Sequence, residues 1–106
     1  MFRGILSTMY IDLKNNVKIK KVQNTLKRFY KNQEFVKILK IGSQISTNDV
    51  INTNNCIISV CKSKNKNKLI ILSAIDNLIK GGSGQAVQNM NIRFNIKENE
   101  GLNVKN

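Results

Sequence analysis

Histidine is absent from all 106 residues, so no imidazole can act as a general acid, a general base or a metal ligand. Cysteine is scarce, with only Cys56 and Cys61 present. In a strand their odd spacing puts them on opposite faces, which argues against a bridge between them. Two thiols without histidine also fall short of a zinc site, and no metal is expected. Both read as small buried hydrophobes. No apolar run approaches the roughly 18 residues that a membrane span needs, and no leader precedes a cleavage site. The expectation is a soluble, cytoplasmic protein without a membrane partner. The length allows one domain at most, and 41% hydrophobic residues allow a modest core.

Acidic residues are few. Six carboxylates face 18 lysines and arginines, a net charge of +12. Such a balance ordinarily raises nucleic acid as a partner. Only three of the cations are arginine, however, the usual reader of phosphates and guanine edges. The lysines come with abundant asparagine and isoleucine, the composition an AT-rich coding sequence produces without selection for a partner. Nucleic acid is therefore not the expected partner. A small basic nucleic-acid-binding protein stays as a rival reading, although Phe29 and Tyr30, the aromatics beside the basic helix, fall on its presumed core stripe.

Alternation from Gly4 to Leu13 fits a strand, with Ile5, Met9, Ile11 and Leu13 on one face and Leu6, Thr8 and Tyr10 on the other. Lys14-Asn15-Asn16 reads as a turn. Ile19, Val22, Leu26, Phe29 and Tyr30 then recur at helical spacing, with Lys20, Lys21, Asn24, Lys27 and Arg28 outward. Lys18, Lys20 and Lys21 crowd the first turn, where positive charge opposes the helix dipole. Phe35 to Ile41 reads as a second strand and Gly42 to Asn55 as a polar loop. Cys56–Cys61 and Leu69–Ile75 read as strands joined by a lysine- and asparagine-rich hairpin. The order β-α-β-β-β-α implies an α+β fold with a mixed, largely antiparallel sheet, one packing helix and a C-terminal helix.

The most informative stretch runs from Ser73 to Phe94, SAIDNLIKGGSGQAVQNMNIRF. Its apolar opening suits a strand buried on both faces, a pattern that a buried helix shares. The glycines at 81, 82 and 84 then allow a tight turn or close backbone approach. Ala86, Val87, Met90 and Phe94 follow at helical spacing. A helix opening out of glycines offers free N–H groups and a positive dipole end to an anion, with Lys80 as a mobile charge. A plain turn with a solvated lysine accounts for the same residues. Neither a P-loop nor the dinucleotide fingerprint is met.

Asp76-Asn77-Leu78-Ile79-Lys80-Gly81-Gly82-Ser83-Gly84-Gln85-Ala86-Val87-Gln88-Asn89-Met90-Asn91 closely resembles the signature near the carboxyl end of the N-acetyl-γ-glutamyl-phosphate reductases. Met1-Phe2-Arg3-Gly4-Ile5-Leu6 resembles a Met-x-Arg-Gly-Ile-Leu stretch in their central part, and Glu100-Gly101-Leu102 their usual ending. Thr47 to Cys56 looks like their Thr-x-x-Val-x-Gly-x-Asn-x-Cys region. Asn52 stands there in place of glycine and can visit φ > 0. Ile51 stands where arginine is often seen, and Asn95 replaces a glycine after the helix as a left-handed cap.

The resemblance implies an NADPH-dependent reduction of N-acetyl-glutamyl 5-phosphate to the semialdehyde, in arginine biosynthesis. It implies a fold like that of glyceraldehyde-3-phosphate and aspartate-semialdehyde dehydrogenases and a homo-oligomer. A cysteine thiolate attacks the acyl phosphate, phosphate leaves, hydride reduces the thioester, and a histidine assists proton transfer. Neither catalytic group has a counterpart in this chain. Arg3 and Gly4 are carried over as substrate-proximal. Asn77, Lys80, Gly81, Gly82, Ser83, Gly84, Gln85, Gln88 and Asn89 are carried over as cofactor-proximal. The resemblance covers about the last third of an enzyme of roughly 300 residues. The expectation is a carboxyl-terminal segment, inactive alone, with NADP held mainly by an absent N-terminal domain. Residues 1–80 form part of a catalytic and dimerisation domain, and residues 81–106 a helix and tail that return to the missing Rossmann domain. An aspartate-semialdehyde dehydrogenase fragment is the runner-up.

Overall fold

The computed structural model describes residues 3–103. Met1 and Phe2 of the Met-x-Arg-Gly-Ile-Leu motif and residues 104–106 of the expected tail lie outside the described residues. Four strands form one sheet: β1 (Ile5–Asp12), β2 (Val36–Ile38), β3 (Cys56–Lys62) and β4 (Lys68–Ile75), in the order β1-β4-β3-β2. β4 runs antiparallel to both β1 and β3, while β2 joins β3 in parallel. Helix α1 (Ile19–Phe29) connects β1 to β2, and α2 (Gly84–Arg93) follows β4. The fold is α+β with a mixed sheet, as the order of sequence patterns implies.

Residues facing one another across the strands share a sheet face. One face carries Leu6, Thr8 and Tyr10 of β1, Ala74, Leu72 and Ile70 of β4, and Ile57 and Cys61 of β3. Cys56 lies on the opposite face from Cys61, and both are free, half-buried thiols. Ile57 and Ala74 pack with Val50 into the buried cluster, with Leu39 and Ile45 against it.

The segment from Gly42 to Asn55 is therefore more than the polar loop its composition suggests. It contains a 3-10 turn at Thr47–Asp49, opened by Ser46, whose hydroxyl accepts from the Asn48 amide. It also buries Val50, Thr53, Asn54 and Asn55. Thr53 can be interior because a hydrogen bond replaces its water contact, Oγ1 donating to the Val50 carbonyl at 2.7 Å. Asn54 Oδ1, by contrast, is buried with no hydrogen-bond partner among the described residues. The second strand is shorter than expected, three residues rather than Phe35 to Ile41. Phe35 is instead a buried plug whose carbonyl accepts from Cys56 N at 2.7 Å.

Helix α1 has no side-chain cap and no acid in its first turn, while Lys27 and Arg28 favour the dipole at its other end. It packs against β2 and β3. Its stripe is corrected in two places. Phe29 is 75% exposed, and Gln23 is buried, donating Nε2 to the Leu39 carbonyl at 2.6 Å. β1 is an edge strand whose residues are all exposed.

Candidate functional site

The two motif stretches, far apart in sequence, meet at one end of β4. Asp76 directly follows that strand and has no exposed surface. Its Oδ1 accepts from the amides of Leu78 (2.9 Å) and Ile79 (3.1 Å), and its Oδ2 accepts from the amide of Asn52 (2.8 Å). Arg3 completes the set, Nε donating to Oδ1 at 3.1 Å and Nη2 pairing with Oδ2 at 2.9 Å. Burial pushes the Asp76 carboxyl up, but the three amides and Arg3 outweigh it and hold the group below its ordinary value. Arg3 Nη1 donates to Asn52 Oδ1 at 3.1 Å, which fixes the guanidinium plane. Asn52 takes φ 61° to present both its amide and its side chain to this knot. That conformation is open to asparagine and fits the reading that Asn52 stands in place of a glycine.

Gly4 sits beside the knot with φ 105°, its amide donating to Asn77 Oδ1 at 2.7 Å. A Cβ there would lie 2.5 Å from Thr47 Cβ, so both the backbone angle and the space demand glycine.

After Asp76 the chain makes a wide π-type turn, Ile79–Ser83, broken where Gly82 leaves the helical region. Gly81, Gly82 and Ser83 are exposed and leave their backbone open to close approach. Lys80 is neither the mobile charge nor the solvated lysine that its place in the sequence allows. Its Nζ donates to Gln88 Oε1 at 2.7 Å and stands 5.3 Å from the Phe35 ring centroid. Burial pushes the Lys80 ammonium below its ordinary value, against the opposing pull of Cys56 and Glu98.

Gln88 faces inward. Its Oε1 also accepts from Asn54 Nδ2 at 2.9 Å, and its Nε2 donates to Glu98 Oε1 at 2.7 Å. Asn89, the next residue, is exposed and accepts from Gln85 Nε2 at 2.8 Å. Gln88 and Asn89 therefore do not share a face. The packed side of α2 is polar and small, made of Gly84, Gln88 and Asn91, while Ala86, Met90 and Phe94 of the apolar stripe are exposed. Asn91 Nδ2 binds the carbonyls of Glu98 and Glu100, folding the tail back beside the helix. Asn95 caps the helix with φ 54°. Sequence periodicity missed Asp76, Asn54 and Gln88 as an inner polar framework. An acidic residue directly after the uncharged run Leu69–Ile75 was the available signal for Asp76.

Residues 1–77 match the family described as the semialdehyde dehydrogenase, dimerisation domain. The chain belongs to the semialdehyde dehydrogenase dimerisation-domain family. Among its relatives, the N-acetyl-gamma-glutamyl-phosphate reductase of Thermoanaerobacter pseudethanolicus is 53% identical over 104 residues, 98% of this chain and 30% of that protein. The protein of the same name from Brachyspira hyodysenteriae is 51% identical over 95% of this chain and 29% of its own length. This semialdehyde dehydrogenase domain thus spans about 30% of the length of the curated relatives it matches. Aspartate semialdehyde dehydrogenase II of Vibrio cholerae, solved with and without ASA, superposes with TM-scores of 0.62 and 0.63 at 15% identity. Each superposition covers 87% of this chain and 28% of that one, a likeness of fold. The family implies a nucleotide cofactor and, as a dimerisation domain, association of like subunits. No helix among the described residues is long and apolar enough to cross a membrane.

Proposed function

We propose that this chain forms part of an NADPH-dependent reductase that converts N-acetyl-glutamyl 5-phosphate to its semialdehyde in arginine biosynthesis, acting as a soluble cytoplasmic homo-oligomer. The observation that carries the reading is the meeting of the two motif stretches. Arg3-Gly4 and Asp76-Asn77, which resemble separate signatures of one enzyme family, are held together by a salt bridge and a hydrogen bond from the Gly4 amide to Asn77 Oδ1. The names of the relatives, at about half identity along nearly the whole chain, support the same reading.

In this proposal residues 1–80 line one wall of the substrate cleft, and residues 81–106 return to a cofactor domain supplied by other polypeptide. Arg3, held in plane by Asp76 and Asn52, presents the remaining edge of its guanidinium to an acyl-phosphate oxygen. Gly4 lets the backbone lie close to the substrate. The exposed turn Gly81-Gly82-Ser83 fits the nicotinamide side, since no side chain larger than serine obstructs it. Gly84 and Gln85 begin the helix behind it, with Asn89 outward, while Lys80 and Gln88 brace the turn from inside. When bound, the reduced nicotinamide nucleotide supplies hydride. The nucleophilic thiol and the proton-transferring histidine belong to residues this chain lacks.

The test is complementation. The 106-residue chain is combined with a polypeptide carrying the remaining amino-terminal part of the Thermoanaerobacter relative, and phosphate-dependent NADP reduction by the semialdehyde is followed. Activity in the mixture and none in either component supports the proposal. Turnover by the 106-residue chain alone, or a correctly assembled but silent complex, overturns it.

A further inference from the structure

Helix α1 carries a surface that the reductase reading leaves unused. From Lys14 to Gln33 the sequence contains no acidic residue, and Lys18, Lys20, Lys21, Lys27, Arg28 and Lys31 all fall within it. Lys18, Lys20, Lys21, Asn24, Thr25 and Arg28 line a groove of about 490 Å³ along the exposed side of the helix. A neighbouring cleft of about 370 Å³ shares Lys18 and extends the cationic rim to Lys62 and Lys66 of the β3–β4 hairpin.

The decisive addition is Phe29. Helical spacing assigns its ring to the core, which would leave this basic helix without an accessible aromatic. In the structure Phe29 is 75% exposed and stands next to Arg28. Tyr30 meets it edge-to-face, centroids 4.9 Å apart and planes at 81°, which steadies the exposed ring. A cationic groove beside an exposed aromatic ring is the combination that binds single-stranded nucleic acid: phosphates track the cations and a base stacks on the ring. An anionic bilayer is the weaker match, because membrane docking requires the apolar side of the helix. Here Ile19, Val22 and Leu26 are already half-buried.

We propose that α1 is a docking face for single-stranded nucleic acid, with Lys20, Lys21 and Arg28 contacting phosphates and Phe29 stacking a base. The experiment is fluorescence anisotropy of a labelled oligothymidylate of about twelve nucleotides with the 106-residue chain. Contact with roughly three to five phosphates predicts a log–log salt slope of about −2 to −3.5, so a fivefold rise in salt weakens binding about 30- to 300-fold. Lys20→Gln/Lys21→Gln/Arg28→Gln makes the slope shallower by about 2. Phe29→Ala leaves the slope unchanged and weakens binding about tenfold. The exposed cations Lys40, Arg93 and Lys97 line neither cleft and provide a control of equal charge: changing all three to Gln leaves the affinity within about threefold, since charges that neutralise no phosphate release no counterions. The proposal is overturned if that control costs as much as the α1 triple variant. Unchanged affinity in Phe29→Ala, equal competition by polyglutamate or anionic vesicles, or absence of binding at low salt overturns it too.

Discussion

Gly4 and Asn77 lie 73 residues apart in sequence, yet the amide of the first donates to the side-chain oxygen of the second at 2.7 Å. With the adjacent Arg3–Asp76 pair, this contact joins the start of β1 to the end of β4 from outside the strand ladder. The glycine turn and α2 follow directly from that junction, so its integrity sets where the turn and the helix stand.

Asp76→Asn tests the junction. The carboxylate gathers three amides and Arg3, and the amide replacement removes the charge while turning a donor toward other donors. The expected cost is about 2–3 kcal/mol in urea unfolding at neutral pH. The folded-state value is held down, so the unfolded chain takes up protons first as pH falls. The stabilisation is therefore complete above the unfolded carboxylate range near about pH 4 and is lost as pH drops through the lowered folded value. The wild type should lose stability over that acid window and Asp76→Asn much less. Parallel pH profiles for the two proteins would falsify the assignment.

Gly84→Ala sets helix propensity against space. Alanine gains about 1 kcal/mol over glycine within a helix. Its Cβ, however, would stand 2.4 Å from Asn54 Oδ1, 2.5 Å from Ile79 Cγ2 and 2.8 Å from the Ile79 carbonyl. Because buried and backbone atoms cannot give way cheaply, overpacking of about 1–3 kcal/mol wins and the melting temperature falls. At Gly42 the space is open and φ is 80°. Gly42→Ala should cost only the backbone term, about 1 kcal/mol.

Gln88→Ala removes the acceptor shared by Lys80 and Asn54. Asn54 is fully buried, so its amide is left dry, and a loss of about 2 kcal/mol is expected. Hydrogen exchange reads the same event: amides of residues 79–84 should exchange faster, while β3 and β4 keep their protection. Uniform acceleration across the sheet would mean that Gln88 braces the whole domain rather than the turn.

Lys80 is harder to keep protonated in the folded chain than in the unfolded one, because burial opposes its charge. The unfolded state then holds more protons as pH climbs from the lowered value toward about 10.4, and stability rises over that interval. Lys80→Met lacks this rise. Urea midpoints at about pH 8 and about pH 10 should diverge in favour of the wild type as pH increases. Convergence at the higher pH contradicts the sign.

Leu6 (44% exposed) and Tyr10 (73% exposed) share one face of the edge strand β1. If that face meets a like subunit, Leu6→Asp/Tyr10→Asp lowers self-association at least tenfold by sedimentation while circular dichroism stays unchanged. Association of the double variant at the wild-type constant locates the contact elsewhere.

Most of the architecture is legible without coordinates. Alternation marks β1, apolar runs mark β3 and β4, and helical spacing marks α1 and α2 to within a residue or two, because these patterns follow from the two-residue and 3.6-residue repeats of the backbone. The motif stretches around Arg3 and Asp76 are likewise visible as residue strings. Tertiary structure decided which side of each pattern is covered. Phe29, Met90 and Phe94 look like core and stand in solvent, whereas Gln23, Asn54, Asp76 and Gln88 look like surface and are enclosed. The reason is physical: burial of a polar side chain is offset by hydrogen bonds that distant chain supplies, and an apolar group stays uncovered where no neighbouring surface reaches it. Neither condition is written in local spacing.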